Sequence, residues 1–216
     1  MGKLVVIEGL DGAGKRTLAN GLTKALADEG ATVTSGAFPR YGVDVHADLV
    51  RDALHGRLGD LTGSVHGMSV LYALDRRDAA DDIRADLDKY DVVLLDRYVA
   101  SNAAYGAARL HQDARGEFVE WVRALEIDRF ELPVPDLHLL LRVPTHVAAD
   151  RAARREQAEL ERARDLYESD GGLQERCAAV YEGLATDGWL APWLVIDGAS
   201  QVNFASLVRQ LTGNEM

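Results

Sequence analysis

A nine-residue segment near the start of the chain, GLDGAGKRT at residues 9–17, constrains the fold more than any other. It follows the apolar run at residues 4–7 and precedes a helical pattern, so it joins a strand to a helix. Gly9 and Gly14 let the backbone curl with several N–H groups pointing inward, and Lys15 adds a positive charge. A loop of this kind at a helix N-terminus binds phosphate groups. The alternative, a glycine-rich turn with a chance lysine, is disfavoured by the strand–loop–helix context.

Apolar runs recur along the chain between helical patterns. The five runs cover residues 3–8, 31–37, 91–96, 136–142 and 193–197. Several are apolar at consecutive positions, which is typical of strands buried on both faces of a parallel sheet. Strands that alternate with helices indicate an α/β doubly wound fold, in which ligands bind at the carboxyl ends of the strands. The longer helical patterns predict helices over 64–89, 112–130, 172–187 and 202–211.

Length and composition narrow the class of protein. The chain has 216 residues and no low-complexity linker, and we predict a single domain over residues 1–216. A net charge of −11 argues against nucleic acid as the main partner. No run is long enough for a membrane span, no signal peptide precedes the first strand, and the single cysteine, Cys177, allows no internal disulfide. These features favour a cytoplasmic protein. We expect His138, inside a strand run, in the core rather than on a metal.

Polar residues follow two of the apolar runs, where a doubly wound sheet binds its ligand. Arg40 and Tyr41 come just after the second run, in the sequence Phe-Pro-Arg-Tyr. Asp96 and Arg97 come at the end of the third. An aspartate in that position resembles the Walker B carboxylate, which orients magnesium through water. A surface turn is the alternative for Arg40 and Tyr41.

Two helical patterns place polar side chains on one face. Ser69, Tyr72 and Arg76 lie three and four residues apart, as do Arg97, Ser101 and Tyr105, with Asn102 beside Tyr105. A flat ring and an arginine on one face can stack on a base and hydrogen-bond its edge. Spacing alone instead favours a half-buried tyrosine with a solvated arginine.

A stretch of mixed charge follows the fourth run. Its arginines, interleaved with glutamates, are Arg151, Arg154, Arg155, Arg162 and Arg164. Such a run is usually a solvent-exposed helix with many ion pairs. The functional alternative is a mobile lid whose arginines close on the phosphate being transferred. Asp165 and Glu168, one helical turn apart, could hold a metal or pair with these arginines.

Taken in order, these motifs resemble bacterial thymidylate kinase over almost the whole chain. Asp-Arg-Tyr followed by Ser-Asn-x-Ala-Tyr, at this distance from the phosphate-binding loop, is the most specific part. The resemblance implies transfer of the ATP γ-phosphoryl group to dTMP, giving dTDP and ADP for dTTP synthesis. It also implies a three-layer P-loop fold with a five-stranded parallel sheet in the order 2-3-1-4-5. A short helical lid at about residues 149–164, magnesium dependence and a homodimer complete the implied picture.

The resemblance also implies roles for individual residues. The ATP phosphates would lie against Gly9, Gly12, Ala13, Gly14, Lys15, Arg16 and Thr17. The dTMP site would comprise Asp11, Phe38, Arg40, Tyr41, Tyr72, Arg76, Arg97, Ser101, Asn102 and Tyr105. In it Arg40 and Arg97 clamp the phosphate, Tyr72 stacks on thymine, Arg76 and Asn102 read the base edge, and Tyr105 crowds the ribose 2′ position. The catalytic residues would be Lys15, Arg97, Arg155 and Asp11.

Arg16 departs from the usual motif, because a Ser or Thr that ligates magnesium normally follows the lysine. A cation beside Lys15 would repel a metal there. One branch of the family carries this arginine and is associated with a metal on the acceptor side. The resemblance therefore implies a magnesium site at Asp11, Asp165 and Glu168, with Thr17 as a weaker candidate.

Two other functions compete with this interpretation. One is a different P-loop nucleotide kinase, acting on a deoxynucleoside or another monophosphate. The other is a nucleotide-binding switch or regulatory ATPase, although no guanine-reading Asn-Lys-x-Asp stretch follows the fourth run. The resemblance further predicts a cis peptide bond between Phe38 and Pro39, which would turn Arg40 into the site.

Overall fold

The computed structural model describes residues 1–158 and 171–212, with side chains over 1–151 and 172–211. Its centre is a five-stranded sheet in the predicted order β2-β3-β1-β4-β5, with every neighbouring pair parallel. The strands are β1 (Lys3–Glu8), β2 (Val33–Ala37), β3 (Val92–Asp96), β4 (Leu137–Arg142) and β5 (Trp193–Asp197). Each lies within the apolar run that predicted it.

Strand β1 is the middle strand, and its side chains are almost completely buried from Leu4 onward. It pairs with β3 on one side and β4 on the other, so that Val6 lies opposite both Leu95 and His138. Ile7 lies opposite Asp96. Because the strands are parallel, the segments that follow β1 and β3 leave the sheet at the same edge and next to each other.

Helices cover both faces of the sheet. They are α1 (Lys15–Asp28), α2 (Val45–Leu54), α3 (Val65–Asp78), α4 (Ala80–Lys89), α5 (Val99–Arg109), α6 (Glu117–Arg123), α7 (Thr145–Ala158), α8 (Gly171–Asp187) and α9 (Phe204–Thr212). A 3₁₀ turn covers Gly59–Gly63, and a π-helix covers Ala124–Arg129. Leu18, Leu22 and Leu26 form an apolar stripe on α1 and are buried. No helix among the described residues is long and apolar enough to span a membrane.

The single helix predicted over 64–89 is wrong, because two helices form with a break at Ala79. The first begins at a serine cap, where Ser64 Oγ accepts a hydrogen bond from Gly67 N at 3.1 Å. The break lets α3 pack on α5 while α4 packs on β3. Apolar spacing continues through the break, which is why the sequence pattern did not reveal it.

The helix predicted over 112–130 is also wrong in its bounds. Helix α6 starts only at Glu117, and residues 124–129 form a π-helix in which Phe130 N donates to Leu125 O, five residues earlier. Leu125 is half-buried, whereas its neighbour Glu126 is fully buried. π-Helices are rare and frequently occur at functional sites.

His138 is confirmed in the core, where the sequence predicted it. His138 is completely buried and stacks on Trp193 with ring centroids 4.3 Å apart, and burial lowers the pKa of its imidazole to about 3. Cys177 on α8 is free and buried. Helix α7 spans the first part of the predicted lid, and residues 159–164 lie outside the described ranges.

Candidate active site

The phosphate-binding loop after β1 has backbone angles that glycine adopts readily. φ is 142° at Gly9, 79° at Gly12 and 103° at Gly14. A Cβ atom on Gly9 would lie 2.6 Å from the carbonyl oxygen of Leu141, so the loop also passes close to β4. Gly14 precedes α1 and provides no side-chain cap, which leaves the first N–H groups of that helix able to bind an anion.

Lys15 begins α1 and folds back over this loop. Its Nζ donates to the carbonyl oxygens of Gly9 at 3.2 Å and Leu10 at 2.9 Å. Burial, reinforced by the nearby positive charge of Arg97, lowers the pKa of the Lys15 ammonium to about 8. Arg16, the next residue along α1, is exposed.

Arg97, Asp11 and Tyr105 form a hydrogen-bonded cluster beside the loop. Arg97 Nη2 donates to Asp11 Oδ1 at 2.6 Å, and the Tyr105 hydroxyl donates to Asp11 Oδ2 at 2.6 Å. Burial acts to raise the pKa of the Asp11 carboxyl, but Arg97 and Lys15 outweigh it and hold that pKa well below its usual range. The backbone of Arg97 has φ of 70°, an unusual value for a residue with a side chain.

A second cluster lies beneath Arg97 and is centred on Glu8, the last residue of β1. The completely buried Glu8 carboxylate accepts hydrogen bonds from Ser101 Oγ at 2.6 Å, Tyr181 OH at 2.9 Å and Tyr98 N at 3.0 Å. Burial raises the pKa of this carboxyl. Arg97 Nη1 in turn donates to Ser101 Oγ at 3.0 Å and Tyr181 OH at 3.3 Å. Through Ser101 and Tyr181, the carboxylate thus holds two groups that orient Arg97.

An open cavity adjoins these clusters. The residues around it come from the segments after β1, β2 and β3 and from helices α3 and α5. They are Asp11, Phe38, Pro39, Tyr41, Met68, Ser69, Tyr72, Arg76, Arg97, Ser101, Asn102, Tyr105 and Gly106. The cavity therefore brings together all the predicted dTMP-site residues except Arg40. The Phe38–Pro39 peptide bond is cis, as predicted.

Arg76 and Asn102, on the cavity wall, share a buried partner. Arg76 donates from Nε and Nη2 to the two carboxylate oxygens of Glu126, at 2.5 and 2.8 Å. Asn102 Nδ2 donates to Glu126 Oε1 at 2.7 Å and to Ser69 O at 3.1 Å. Glu126 is completely buried and Arg76 is only 2% exposed. The expectation of a solvated arginine, which spacing alone favoured, is therefore wrong.

Arg40 is held away from the cavity wall. Its Nε donates to Asp75 Oδ1 at 2.7 Å, and its Nη2 donates to Asp75 O at 2.7 Å and Asp44 Oδ2 at 3.0 Å. The predicted contact of Arg40 with a phosphate stays a prediction. A different arginine, Arg151 on α7, contacts the phosphate-binding loop by donating from Nη1 to Ala13 O at 3.1 Å.

Comparison with known proteins agrees with this geometry. The family model described as thymidylate kinase matches residues 7–190. A thymidylate kinase of Mycobacterium tuberculosis is 51% identical over 193 residues, covering 89% of this chain and 90% of that protein. The chain belongs to the thymidylate kinase family. More distant thymidylate kinases match too. That of Xanthomonas oryzae pv. oryzae is 36% identical over 189 residues, covering 87% of this chain and 74% of that protein. That of Akkermansia muciniphila is 34% identical over 213 residues, covering 97% of this chain and 90% of that protein.

The carboxylates near the phosphate-binding loop suit the hard, oxygen-seeking magnesium ion that thymidylate kinases are expected to use. Asp96 Oδ1 is buried and accepts no hydrogen bond from the described residues, so this carboxylate oxygen is available to a polar ligand. Asp96 and Asp11 both lie near enough to Lys15 to act on the pKa of its ammonium. The other two predicted metal ligands, Asp165 and Glu168, lie outside the described residues, as does the side chain of Arg155.

Three residues of this site were missed by sequence reasoning: Glu8, Glu126 and Tyr181. Glu8 carried a usable signal, because it is an acidic residue that directly follows the four apolar residues 4–7 of its strand. Glu126 lay in a mixed helical pattern whose period did not predict the π-helix. Tyr181 is contributed by α8, more than 80 residues away in the chain from Arg97, and nothing local marks it.

Proposed function

We propose that this chain transfers the γ-phosphoryl group of ATP to dTMP, giving dTDP and ADP, with the residues of the cavity described above binding dTMP. One observation carries the residue assignment: a single cavity is lined by Asp11 and Arg97, next to Lys15, and also by Tyr72, Arg76 and Asn102. The end of the cavity that would bind phosphate, at Arg97, and the end that would bind the base, at Tyr72, thus belong to one site. Family membership supports the same reaction.

Charge is the main requirement of this reaction. The acceptor is a phosphate monoester with a second pKa of about 6, so its oxygens are anionic at neutral pH and need no strong general base. The barrier arises from bringing two anions together, and positioned cations lower it. Lys15 would hold the β- and γ-phosphates of ATP, and Arg97 would hold the phosphate of dTMP. Asp11 and Tyr105 keep the Arg97 guanidinium in place for that contact.

Magnesium would neutralise charge on the transferring phosphates when bound. Asp11 is the described residue that we assign to it, together with Asp165 and Glu168. Asp96 Oδ1, which accepts no hydrogen bond from the described residues, supports a polar ligand near Lys15. A lid role for Arg155, a homodimer and a cytoplasmic location remain predictions.

A coupled assay over dTMP, dUMP, dCMP and thymidine tests the function. We expect a clear preference for dTMP as acceptor and ADP formation that depends on it. Equal rates with all four acceptors would favour a broader nucleotide kinase. Slow ATP hydrolysis that no acceptor stimulates would instead favour a switch or regulatory ATPase.

A further inference from the structure

We propose that Glu126 is a positioning residue that sets which pyrimidine the site accepts. It would do so by holding Asn102 and Arg76 so that Asn102 presents a hydrogen-bond acceptor to the base and Arg76 presents a donor. This inference rests on the proposed binding of a nucleoside monophosphate in the cavity. It adds a residue that lies behind the wall of that cavity, on the π-helix after α6.

The side-chain amide of Asn102 could in principle present either its oxygen or its nitrogen to a ligand. Both N–H bonds of Nδ2 point at groups that only accept, Ser69 O and the Glu126 carboxylate. A flipped amide would turn Oδ1 toward Ser69 O and Glu126 Oε1 instead. Three oxygens would then face one another with no proton between them. Among the described residues nothing donates to Oδ1, so the carbonyl oxygen is the atom of Asn102 left for a ligand.

Arg76 is held by the same carboxylate. The Glu126 carboxylate receives Nε and Nη2 of this guanidinium, in the two-point geometry that fixes an arginine most firmly. The remaining Nη1 makes no hydrogen bond with the described residues, and Arg76 lines the cavity. The pair therefore presents donors from Nη1 next to an acceptor from Asn102 Oδ1.

This pattern distinguishes two kinds of pyrimidine. Thymine and uracil carry a carbonyl acceptor at C4 beside an N–H donor at N3, which complements a donor next to an acceptor. Cytosine carries an amino donor at C4 beside an acceptor at N3, which is the reverse and would meet like groups. A site built to hydrogen-bond one edge rejects the other strongly, because its buried polar groups are then left unpaired.

Charge balance supports the same role. The Arg76 and Glu126 charges cancel, and Asn102 is uncharged, so the base end of the cavity is locally neutral. Such an environment suits a neutral base, whereas Lys15 and Arg97 make the phosphate end cationic. A buried ion pair is weak evidence for stability in itself.

The test replaces Glu126 by its neutral isostere. In Glu126→Gln one acceptor becomes a donor, which can bond Oδ1 of a flipped Asn102 and turn Nδ2 toward the base. We expect the ratio of kcat/KM for dTMP to that for dCMP to fall at least about tenfold, the effect of one misdirected hydrogen bond in a buried site. The ratio for dTMP to dUMP should change less than about threefold, because those two bases share the same edge.

Glu117→Gln is the matched control, since it removes the same charge from an exposed position at the start of α6. It should leave both ratios unchanged. The inference would be overturned if Glu126→Gln left the dTMP-to-dCMP ratio of kcat/KM unchanged, or lowered it by no more than the dTMP-to-dUMP ratio. Glu126 would then be a structural counter-ion. If the unmutated enzyme shows no preference for dTMP over dCMP, the proposed function fails instead.

A measurement on the unmutated protein covers the case in which Glu126→Gln does not fold. The side-chain amide protons of Asn102, observed by ¹⁵N-edited NMR, should exchange slowly with solvent both without ligand and with dTMP bound, because both stay bonded to Ser69 and Glu126. Rapid exchange in the dTMP complex would mean that the amide has turned its N–H groups away from Glu126, and would contradict the inference.

Discussion

Arg97 and Asp11 form an ion pair in which Nη2 lies 2.6 Å from Oδ1, with side chains only 14% and 24% exposed. The pair joins the segment after β3 to the segment after β1, and so fixes an arginine of the proposed acceptor site relative to the phosphate-binding loop. The low pKa of Asp11 keeps its carboxylate charged throughout the working pH range. The stabilisation that this gives is present above the ordinary carboxyl pKa and is lost only as the pH falls below it.

We expect Asp11→Asn to lower kcat by about 10² or more, because Arg97 loses its charged anchor and one proposed metal ligand becomes neutral. Steady-state kinetics over dTMP and ATP concentration measures this. Asp187→Asn is the control, since Asp187 pairs with Arg115 at the surface and its loss should leave kcat unchanged. Near-normal kcat in Asp11→Asn would contradict both roles.

The pKa of about 8 for Lys15 predicts a pH dependence. As the pH rises through about 8, the free enzyme should lose the proton and with it affinity for ATP, so kcat/KM for ATP should fall. Lys15→Arg should move this fall to higher pH, and Lys15→Ala should abolish turnover with the fold intact. A profile that stays flat to pH 9.5 would refute the assignment.

The same lysine has the opposite effect on stability. Its folded pKa lies below its unfolded value of 10.5, so between about pH 8 and 10.5 the unfolded chain binds more protons. The free energy of unfolding contributed by Lys15 therefore rises with pH in that window. Urea denaturation of the unmutated protein and of Lys15→Ala at pH 8 and 10 would reveal the difference.

Arg76→Ala should lower the free energy of unfolding by about 3–5 kcal/mol, because it leaves the carboxylate of Glu126 buried and unpaired. Adding Glu126→Gln should restore part of this loss, and urea denaturation of both variants tests it. The affinity for dTMP should fall far more than that for ATP. Arg123→Ala, which breaks an exposed pair with Glu120, serves as the control. If Arg76→Ala lowered the free energy of unfolding as little as this control does, the Arg76–Glu126 pair would not be a buried one.

Helices α5 and α6 pack closely at Gly106. A Cβ atom there would lie 2.0 Å from Cε1 of Phe118, which is itself only 2% exposed and cannot move aside. We expect Gly106→Ala to lower the free energy of unfolding by about 1–3 kcal/mol through overpacking. Gly63→Ala, with nothing within 4 Å of the added atom, should change it little. Equal thermal denaturation midpoints for the two variants would show that the contact is looser than described.

His138 predicts a loss of stability in acid. The pKa of its buried imidazole is about 3 in the folded protein and about 6.5 in the unfolded chain, so below pH 6.5 the unfolded chain binds more protons. This group should cost up to about 1.4 kcal/mol of stability per pH unit as the pH falls from 6.5 toward 3. His138→Leu should flatten that dependence, while replacing the exposed His146 by leucine should not. Parallel curves for both variants would exclude His138 as the cause.

Much of the site could be predicted from short segments whose residues act together. Tyr72 and Arg76 share a helix face because they are four residues apart, and Arg97, Ser101 and Tyr105 follow the same rule; each set lines the cavity. Element bounds were less predictable: Ala79 interrupts a helix without interrupting its apolar period. Arg40 stands at the expected place in the chain, but its guanidinium bonds Asp75 and Asp44, which no spacing rule indicates.

Neighbouring residues and short motifs were enough to predict the strand–loop–helix phosphate site, the five strands and the family. Which partners complete the site depends on the tertiary fold. Glu126 meets Arg76 across 50 positions of chain, and Tyr181 meets Glu8 across 173. Such contacts arise from how the helices pack on the sheet, and a local pattern contains no record of that packing. The residue to which we assign the choice of pyrimidine, Glu126, therefore becomes visible only once the chain is folded.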